Sequence, residues 1–190
     1  MVIFFAVFST PTVMFLGGEE YTQAITPMIF ILLSVIAIGI GNVIGGELLI
    51  GSDKEKIVLI SDLVGLSVNL LLNYFLILKL STLGAAIATL ITEIIVTSIQ
   101  LSYARFVMKI KLWKGKDFFI PALATGLGIA ASFFVMKLSL HCIIQLVIGG
   151  LIFGIVYLIV MLLFKDEIVS DIWKTVASIV GKILGKRKAK

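Results

Sequence analysis

Charged residues are scarce in this chain, and this scarcity indicates which environment surrounds it, water or lipid. Only 14% of its 190 residues are charged, against about 25% in an average soluble domain. Hydrophobic residues make up 60%, and the mean hydropathy is +1.18. A soluble domain of this length has no core large enough to bury so much apolar surface. We therefore expect most of the protein to lie in lipid.

The residues that usually carry enzyme chemistry are also few. The chain has one cysteine and one histidine, adjacent at Cys142 and His141, so an internal disulfide is excluded and no metal-ligand set can be assembled from them. It contains no glycine-rich phosphate loop and no nucleophile–base pair. We therefore expect neither an enzyme nor an organic cofactor.

Long apolar runs are what the chain has instead. All but the first exceed the roughly 20 residues that cross a ~30 Å hydrocarbon core, and short polar connectors separate them. Because lipid-exposed backbone must satisfy its own hydrogen bonds, we expect these runs to be helices. The sequence predicts an all-α, polytopic membrane bundle of six transmembrane helices. These segments are Met1–Leu16, Ala24–Ile50, Ile57–Leu78, Leu83–Val107, Phe118–Leu138 and Cys142–Phe164.

Basic residues are distributed unevenly among the connectors. Of the 16 Lys and Arg residues, all but Lys79 and Lys137 lie in the second connector, the fourth connector or the tail after Phe164. The positive-inside rule places that side in the cytoplasm, so both ends of the chain are expected there, in a cytoplasmic membrane. The partners of these charges are then membrane lipids, and we expect no nucleic acid.

Four polar residues lie within the third and fourth segments. The short connector Lys79–Leu83 predicts an antiparallel hairpin. Asn73 and Thr89 each lie about 9 Å below it, and Asn69 and Glu93 about 15 Å below it, near mid-membrane. Residues four apart share a helix face, so these side chains are expected to form a ladder with the rungs Asn73–Thr89 and Asn69–Glu93.

Two interpretations of this ladder stay open. Amide, hydroxyl and carboxylate oxygens suit a hard cation, so the ladder is a candidate site for a coupling Na⁺ or, through Glu93, for H⁺. The alternative is hydrogen bonding that only holds the two helices together. Glu93 favours function, because an ionisable group is costly in the membrane. Thr97 and Gln100 lie nearer the cytoplasmic end, where we expect them to be solvated.

Glycines spaced four apart predict close helix packing in the second and sixth segments. The two pairs are Gly41 with Gly45 and Gly150 with Gly154, and both fit the small-xxx-small pattern.

After the sixth segment, residues 165–190 predict an amphipathic helix with a polybasic end that lies on the cytoplasmic membrane surface. The alternative for this tail is a weakly ordered segment.

Three stretches together carry a family resemblance. "FLGGEEYTQAITPMIFIL", "GSDKEK" and "NLLLNYFLILKLSTLGAAIATLITE" resemble the C-terminal region of polysaccharide transporters, the oligosaccharide flippases of the multidrug/oligosaccharidyl-lipid/polysaccharide exporter superfamily. The likeness covers about Val13 to Met108. It implies that the six helices correspond to the last six of a fourteen-helix transporter. The implied divisions are four helices of the second lobe (1–108), a basic loop (109–117), two additional helices (118–164) and the basic tail (165–190).

The resemblance implies a flippase that moves a polyprenyl-diphosphate-linked oligosaccharide across the cytoplasmic membrane by ion-coupled alternating access. Its substrate would be a repeat unit of O-antigen, capsule or exopolysaccharide. Asn69, Asn73 and Thr89 match positions of the family's sodium site, but no carboxylate stands beside the asparagines, so Glu93 or the missing N-terminal lobe of the same polypeptide would supply the charge. The apolar start without a basic flank agrees with such a missing part. The alternative is a self-contained six-helix membrane protein with a structural or assembly role.

Overall fold

A computed structural model of the chain describes residues 1–110, 115–136 and 141–164. Throughout these residues the regular secondary structure is helical, as the sequence predicts. The amphipathic helix predicted for 165–190 lies outside the described residues, as do residues 111–114 of the predicted basic loop. The α-helices are α1 Val2–Val7, α2 Ser9–Gly17, α3 Ile25–Gly41, α4 Glu55–Ser102, α5 Gly115–Met136 and α6 Cys142–Leu163.

Short helical segments of other pitch lie between these α-helices. A 3₁₀ turn, Glu19–Ala24, leads into α3, and a π-helical segment, Asn42–Leu49, continues it before a further 3₁₀ turn at Ile50–Ser52. A second π-helical segment, Tyr103–Val107, follows α4. Asp53 takes a left-handed conformation, with φ of 57°, at the turn into α4. Asp is one of the few residues that adopt this conformation readily.

Among the described residues, three continuous helical segments are long and apolar enough to cross a membrane. A shorter apolar helix, Phe119–Val135, accompanies them. The protein is therefore a membrane protein built from helices, whereas the number of six spans stays a prediction. The three segments are Glu19–Ser52, Glu55–Val107 and Cys142–Leu163.

The longest of these segments folds back on itself at Ser81. The Ser81 backbone has φ of 50° and ψ of −126°, which is not helical. Residues 55–80 form a first arm and residues 82–102 a second arm, which run antiparallel: the side chain of Asn69 on the first arm hydrogen-bonds Thr92 on the second. The hairpin predicted for the third and fourth segments is thus present.

The segment predicted as the first transmembrane helix is not one continuous helix. It is divided into α1, of 6 residues, and α2, of 9 residues, and neither is as long as the roughly 20 residues of a span. The break lies at Phe8, whose backbone leaves the helical region with φ of −91° and ψ of 27°. Phe8 is fully buried and its ring stacks on that of Phe4 at 4.5 Å between centroids, so ring packing accompanies the break.

Burial in α4 is the inverse of that in a soluble protein. Small and polar residues line the buried side of the hairpin; Ser61 is fully buried, and Thr92 is only 7% exposed. Large apolar side chains point outward: Leu70 is 63% exposed and Tyr74 is 67% exposed. Small residues at contacts and leucine outside are typical of helices that associate within lipid, where no hydrophobic force drives apolar side chains inward. The burial pattern therefore supports the membrane assignment.

The chain divides into two compact units, residues 1–112 with 140–146 and residues 113–139 with 147–190. In the second unit, Ser132 connects α5 and α6 by donating its hydroxyl to Gly128 O at 2.8 Å and to Gly149 O at 3.0 Å. The predicted packing glycine Gly150 is half-buried beside this contact. Gly154 has no described atom near its Cβ position, so the described contact is made by other residues.

Candidate functional site

The register of the α4 hairpin decides which polar residues meet. Gln100 Nε2 donates to Ser61 Oγ at 2.9 Å, and Asn69 Nδ2 donates to Thr92 Oγ1 at 3.2 Å. Between these pairs, a Cβ added to Gly65 would overlap the side chain of Val96. The facing positions recur every four residues on both arms, which keeps them on one helix face over several turns.

This register differs by one residue from the predicted one. The expected rungs paired Asn69 with Glu93 and Asn73 with Thr89, whereas Asn69 bonds to Thr92. One residue rotates a helix position by about 100°, so Thr92 faces the first arm where Glu93 was expected. Thr92 was missed from the sequence because residues were paired by equal depth below the turn, whereas the packing of the two arms is offset by one residue and places Asn69 against Thr92.

Asn69, Asn73 and Thr92 form a continuous hydrogen-bonded cluster, which we call the amide cluster. Asn73 Nδ2 donates to Asn69 Oδ1 at 2.8 Å, and Asn69 Nδ2 donates in turn to Thr92 Oγ1 at 3.2 Å. Because Asn69 and Asn73 are four apart on one arm, their amides stack along the same face. The structure therefore brings together both predicted asparagines with a threonine from the opposite arm.

The other two predicted residues lie outside this cluster. Thr89 donates its hydroxyl to Ala85 O, one turn earlier on its own helix, at 3.0 Å. Glu93 is partly exposed and follows Thr92, so it lies about 100° around the helix from the seam between the two arms. Neither Thr89 nor Glu93 completes the expected rungs.

One oxygen of the amide cluster is unpaired. Asn73 Oδ1 is buried and accepts no hydrogen bond from the described residues. A buried acceptor without a partner costs about 1–3 kcal/mol, and in native structures such a group calls for an explanation. A carboxamide oxygen is one of the ligands that coordinate hard cations in proteins. The described residues contain no group of three or more His, Cys, Asp or Glu side chains that could hold a metal, so any cation here would rely on neutral oxygens and at most one carboxylate.

A second buried polar cluster connects α4 to α3. Thr97 Oγ1 donates to Ala37 O at 3.0 Å, and Gln100 bonds to Ser61, whose own hydroxyl donates to Val58 O at 2.7 Å. Gln100 is only 3% exposed. The expectation that Thr97 and Gln100 are solvated is therefore wrong: both face neighbouring helices instead of the cytoplasm.

Two glycines allow this approach of α3 to the second arm of α4. A Cβ added to Gly41 would lie 3.0 Å from Thr97 Oγ1, and one added to Gly45 would lie 2.7 Å from Gln100 Oε1. Gln100 Oε1 is buried and, like Asn73 Oδ1, has no hydrogen-bond partner among the described residues. The Gly45 backbone lies directly against this oxygen, with no room for a side chain between them.

Comparison with protein-family models, curated proteins and solved structures finds no match for this chain.

Proposed function

We propose that this chain is the C-terminal part of a flippase that moves a polyprenyl-diphosphate-linked oligosaccharide across the cytoplasmic membrane, driven by a Na⁺ or H⁺ gradient. Its helices would belong to the second of two lobes that alternately open to either side, with the first lobe supplied by a preceding part of the polypeptide. The proposal rests on the resemblance given above and on one structural observation, the unpaired Asn73 oxygen within an apolar hairpin.

The amide cluster is the proposed position of the coupling ion. At Asn73 Oδ1, the cost of an unpaired buried oxygen outweighs the roughly 0.6 kcal/mol that an interhelical hydrogen bond contributes in a membrane, so packing alone accounts poorly for this amide. A Na⁺ ion at Asn73 Oδ1 would remove that cost. The Thr92 hydroxyl oxygen, which accepts from Asn69, adds a second ligand of the kind that hard cations bind.

Glu93 is the proposed source of negative charge or of proton coupling. Of Asn69, Asn73, Thr92 and Glu93, only Glu93 can bind and release a proton, because amides and hydroxyls do not titrate under physiological conditions. Glu93 is partly exposed at the side of the seam between the two arms. An intramembrane carboxylate of this kind commonly marks an ion or proton pathway.

Sodium binding to the purified full chain tests the ion site directly. We expect ²²Na⁺ binding, measured by scintillation proximity, to fall at least tenfold in affinity in Asn73→Ala, because the free oxygen is removed. The matched control is Ser67→Ala, whose hydroxyl lies exposed on the same arm and only donates to Leu63 O; its affinity should equal that of the parent. Equal binding by Asn73→Ala and the parent would contradict a Na⁺ site in the amide cluster.

A transport assay distinguishes sodium coupling from proton coupling. Vesicles that carry the chain together with its proposed first lobe are given Na⁺ or pH gradients, and flipping of a fluorescent lipid-linked oligosaccharide is followed. If Na⁺ is the coupling ion, Asn73→Ala reduces the Na⁺ dependence; if H⁺ is, Glu93→Gln abolishes the pH dependence. If both variants keep the ion dependence and lose only stability, the amide cluster serves packing.

A further inference from the structure

An apolar groove runs along the α4 hairpin near its basic end. Its volume is about 660 Å³, within the ~300–1,000 Å³ range of small-molecule sites. Isoleucines from both arms dominate its walls, and hydroxyl groups are confined to Ser98, Ser102 and Tyr103. The groove is lined by Ile57, Ile60, Ile94, Ile95, Ser98, Ile99, Ser102, Tyr103, Phe106 and Val107.

The length of this groove matches the apolar part of a lipid. Its wall extends along the second arm from Ile94 to Val107, which is about 20 Å at 1.5 Å per residue. One leaflet contributes about half of a ~30 Å hydrocarbon core, or about 15 Å. An acyl chain that lies in the groove would therefore extend from the basic end of the hairpin to the middle of the membrane.

A guanidinium group lies beside the groove at its basic end. The Arg105 guanidinium carbon is 5.7 Å from the centroid of the Phe106 ring, and this ring, which is 72% exposed, forms part of the groove wall. Lys109 lies four residues further along, after the helical segment ends at Val107, and is also exposed. Acidic residues towards this end are Glu47, Asp53, Glu55 and Asp62, with the basic Lys54 and Lys56 among them.

We propose that this groove binds one anionic phospholipid, with an acyl chain against the isoleucines and the phosphate on Arg105. Arginine binds phosphate through two parallel hydrogen bonds, and a headgroup with net negative charge attracts the guanidinium more strongly than a zwitterionic one, whose ammonium group repels it. A phospholipid supplies both parts at once, an acyl chain for the isoleucines and an anion for Arg105. The inference concerns the lipid around the hairpin and does not depend on the transported substrate.

Quenching by brominated lipid tests the proposal at the groove itself. The reporter is Phe106→Trp, which keeps an aromatic ring under Arg105, in a full chain whose Trp113 and Trp173 are replaced by phenylalanine. The chain is reconstituted in phosphatidylcholine vesicles with increasing fractions of dibrominated phosphatidylglycerol, or of dibrominated phosphatidylcholine. We expect phosphatidylglycerol to be preferred about fivefold, the contribution of one basic residue near an anionic surface. Arg105→Gln should abolish this preference, whereas Lys79→Gln, at the other end of the hairpin, should leave it unchanged.

A groove-filling variant tests the acyl chain separately. Ser98 lines the groove and is exposed, so Ser98→Phe should occupy its volume and reduce quenching by both brominated lipids without changing the charge. Equal quenching by the two lipids in the parent reporter would overturn the proposal, as would a preference that survives Arg105→Gln. If neither brominated lipid quenches the reporter, lipid does not occupy the groove, and the proposal is wrong.

Discussion

A single methyl group at Gly45 should destabilise the contact between α3 and α4. The added Cβ would lie 2.7 Å from Gln100 Oε1, well inside van der Waals contact. The Gln100 amide is held on its other side by Ser61, to which Nε2 donates at 2.9 Å, and the residue is only 3% exposed. The amide can therefore move away from the new methyl group only by giving up its bond to Ser61.

The magnitude follows from these two contacts. Losing an interhelical hydrogen bond in a membrane costs about 0.6 kcal/mol on average and up to about 1.7, and overpacking a close contact costs about 1–3 kcal/mol. The Gln100 amide will adopt the less costly alternative, either keeping the overpacked contact with the methyl group or losing its bond to Ser61. We therefore expect Gly45→Ala to lower the free energy of unfolding by about 1–2 kcal/mol. For a chain of this length, that corresponds to a fall in Tm of about 2–8 °C.

The next residue provides a matched control. Gly46 lies in the same π-helical segment but has no described atom within 4 Å of its Cβ position, and it is exposed. Alanine has a better helix propensity than glycine by about 1 kcal/mol, so Gly46→Ala should leave Tm unchanged or raise it. Thermal unfolding of the full chain in detergent, monitored by circular dichroism, gives the Tm of both variants.

A double-mutant cycle tests whether the contact with Gln100 causes the destabilisation by Gly45→Ala. In a Gln100→Ala background the oxygen is absent, so the added methyl group meets no polar atom, and the penalty of Gly45→Ala should vanish. The coupling free energy between the two sites is then about 1–2 kcal/mol, well above the ~0.3–0.5 kcal/mol within which distant sites are additive. An equal penalty in both backgrounds would refute the proposed contact, and the destabilisation would have to come from the backbone.

Two further predictions concern the hairpin turn and the topology. Ser81 has φ of 50° and ψ of −126°, a region that glycine enters at little cost, so Ser81→Gly should raise Tm. Thr82→Gly, in the helix after the turn, should instead lower the unfolding free energy by about 0.3 kcal/mol, the difference in helix propensity between the two residues. Loss of stability in Ser81→Gly would contradict the strained turn. In a chain whose native cysteine is replaced by serine, a membrane-impermeant maleimide should label Lys79→Cys in intact cells and Lys54→Cys only after permeabilisation. Labelling of Lys54→Cys in intact cells would contradict the proposed orientation.

The helices and the hairpin could be predicted from the sequence because apolar length is a strong signal. The turn could be predicted as well, because the connector Lys79–Leu83 contains Ser81, where the chain folds back. Glycine is the residue type that usually marks a turn, yet Gly84 is buried in the second arm, where any side chain would overlap the carbonyl of Leu76. Its function is close packing. Composition alone does not distinguish a glycine that turns the chain from one that admits a neighbour.

The one-residue error in register changed the predicted site. The sequence analysis paired residues at equal depth below the turn, whereas Asn69 bonds to Thr92. One residue corresponds to about 100° of helix rotation, which exchanges Glu93 for Thr92 at the seam. The burial of Gln100 was missed for a different reason. Depth along the helix suggested solvent, but Gly41 at the end of α3 and Gly45 in the π-helical segment that continues it allow this helix to come close enough to cover the amide. Both errors concern contacts between helices, which no single helix encodes.

The two unpaired oxygens in the first unit have different surroundings, and this difference supports placing the ion at only one of them. Gln100 Oε1 is covered by Gly45 and fixed through Ser61, so an ion could reach it only if α3 moved away. Asn73 is half-buried, and its amide is held by one bond to Asn69 on the same arm. Rotation of this amide exposes its oxygen without separating any helices. An ion-dependent change is therefore expected at Asn73, while Gln100 stabilises the packing of α3 against α4 whether or not an ion is bound.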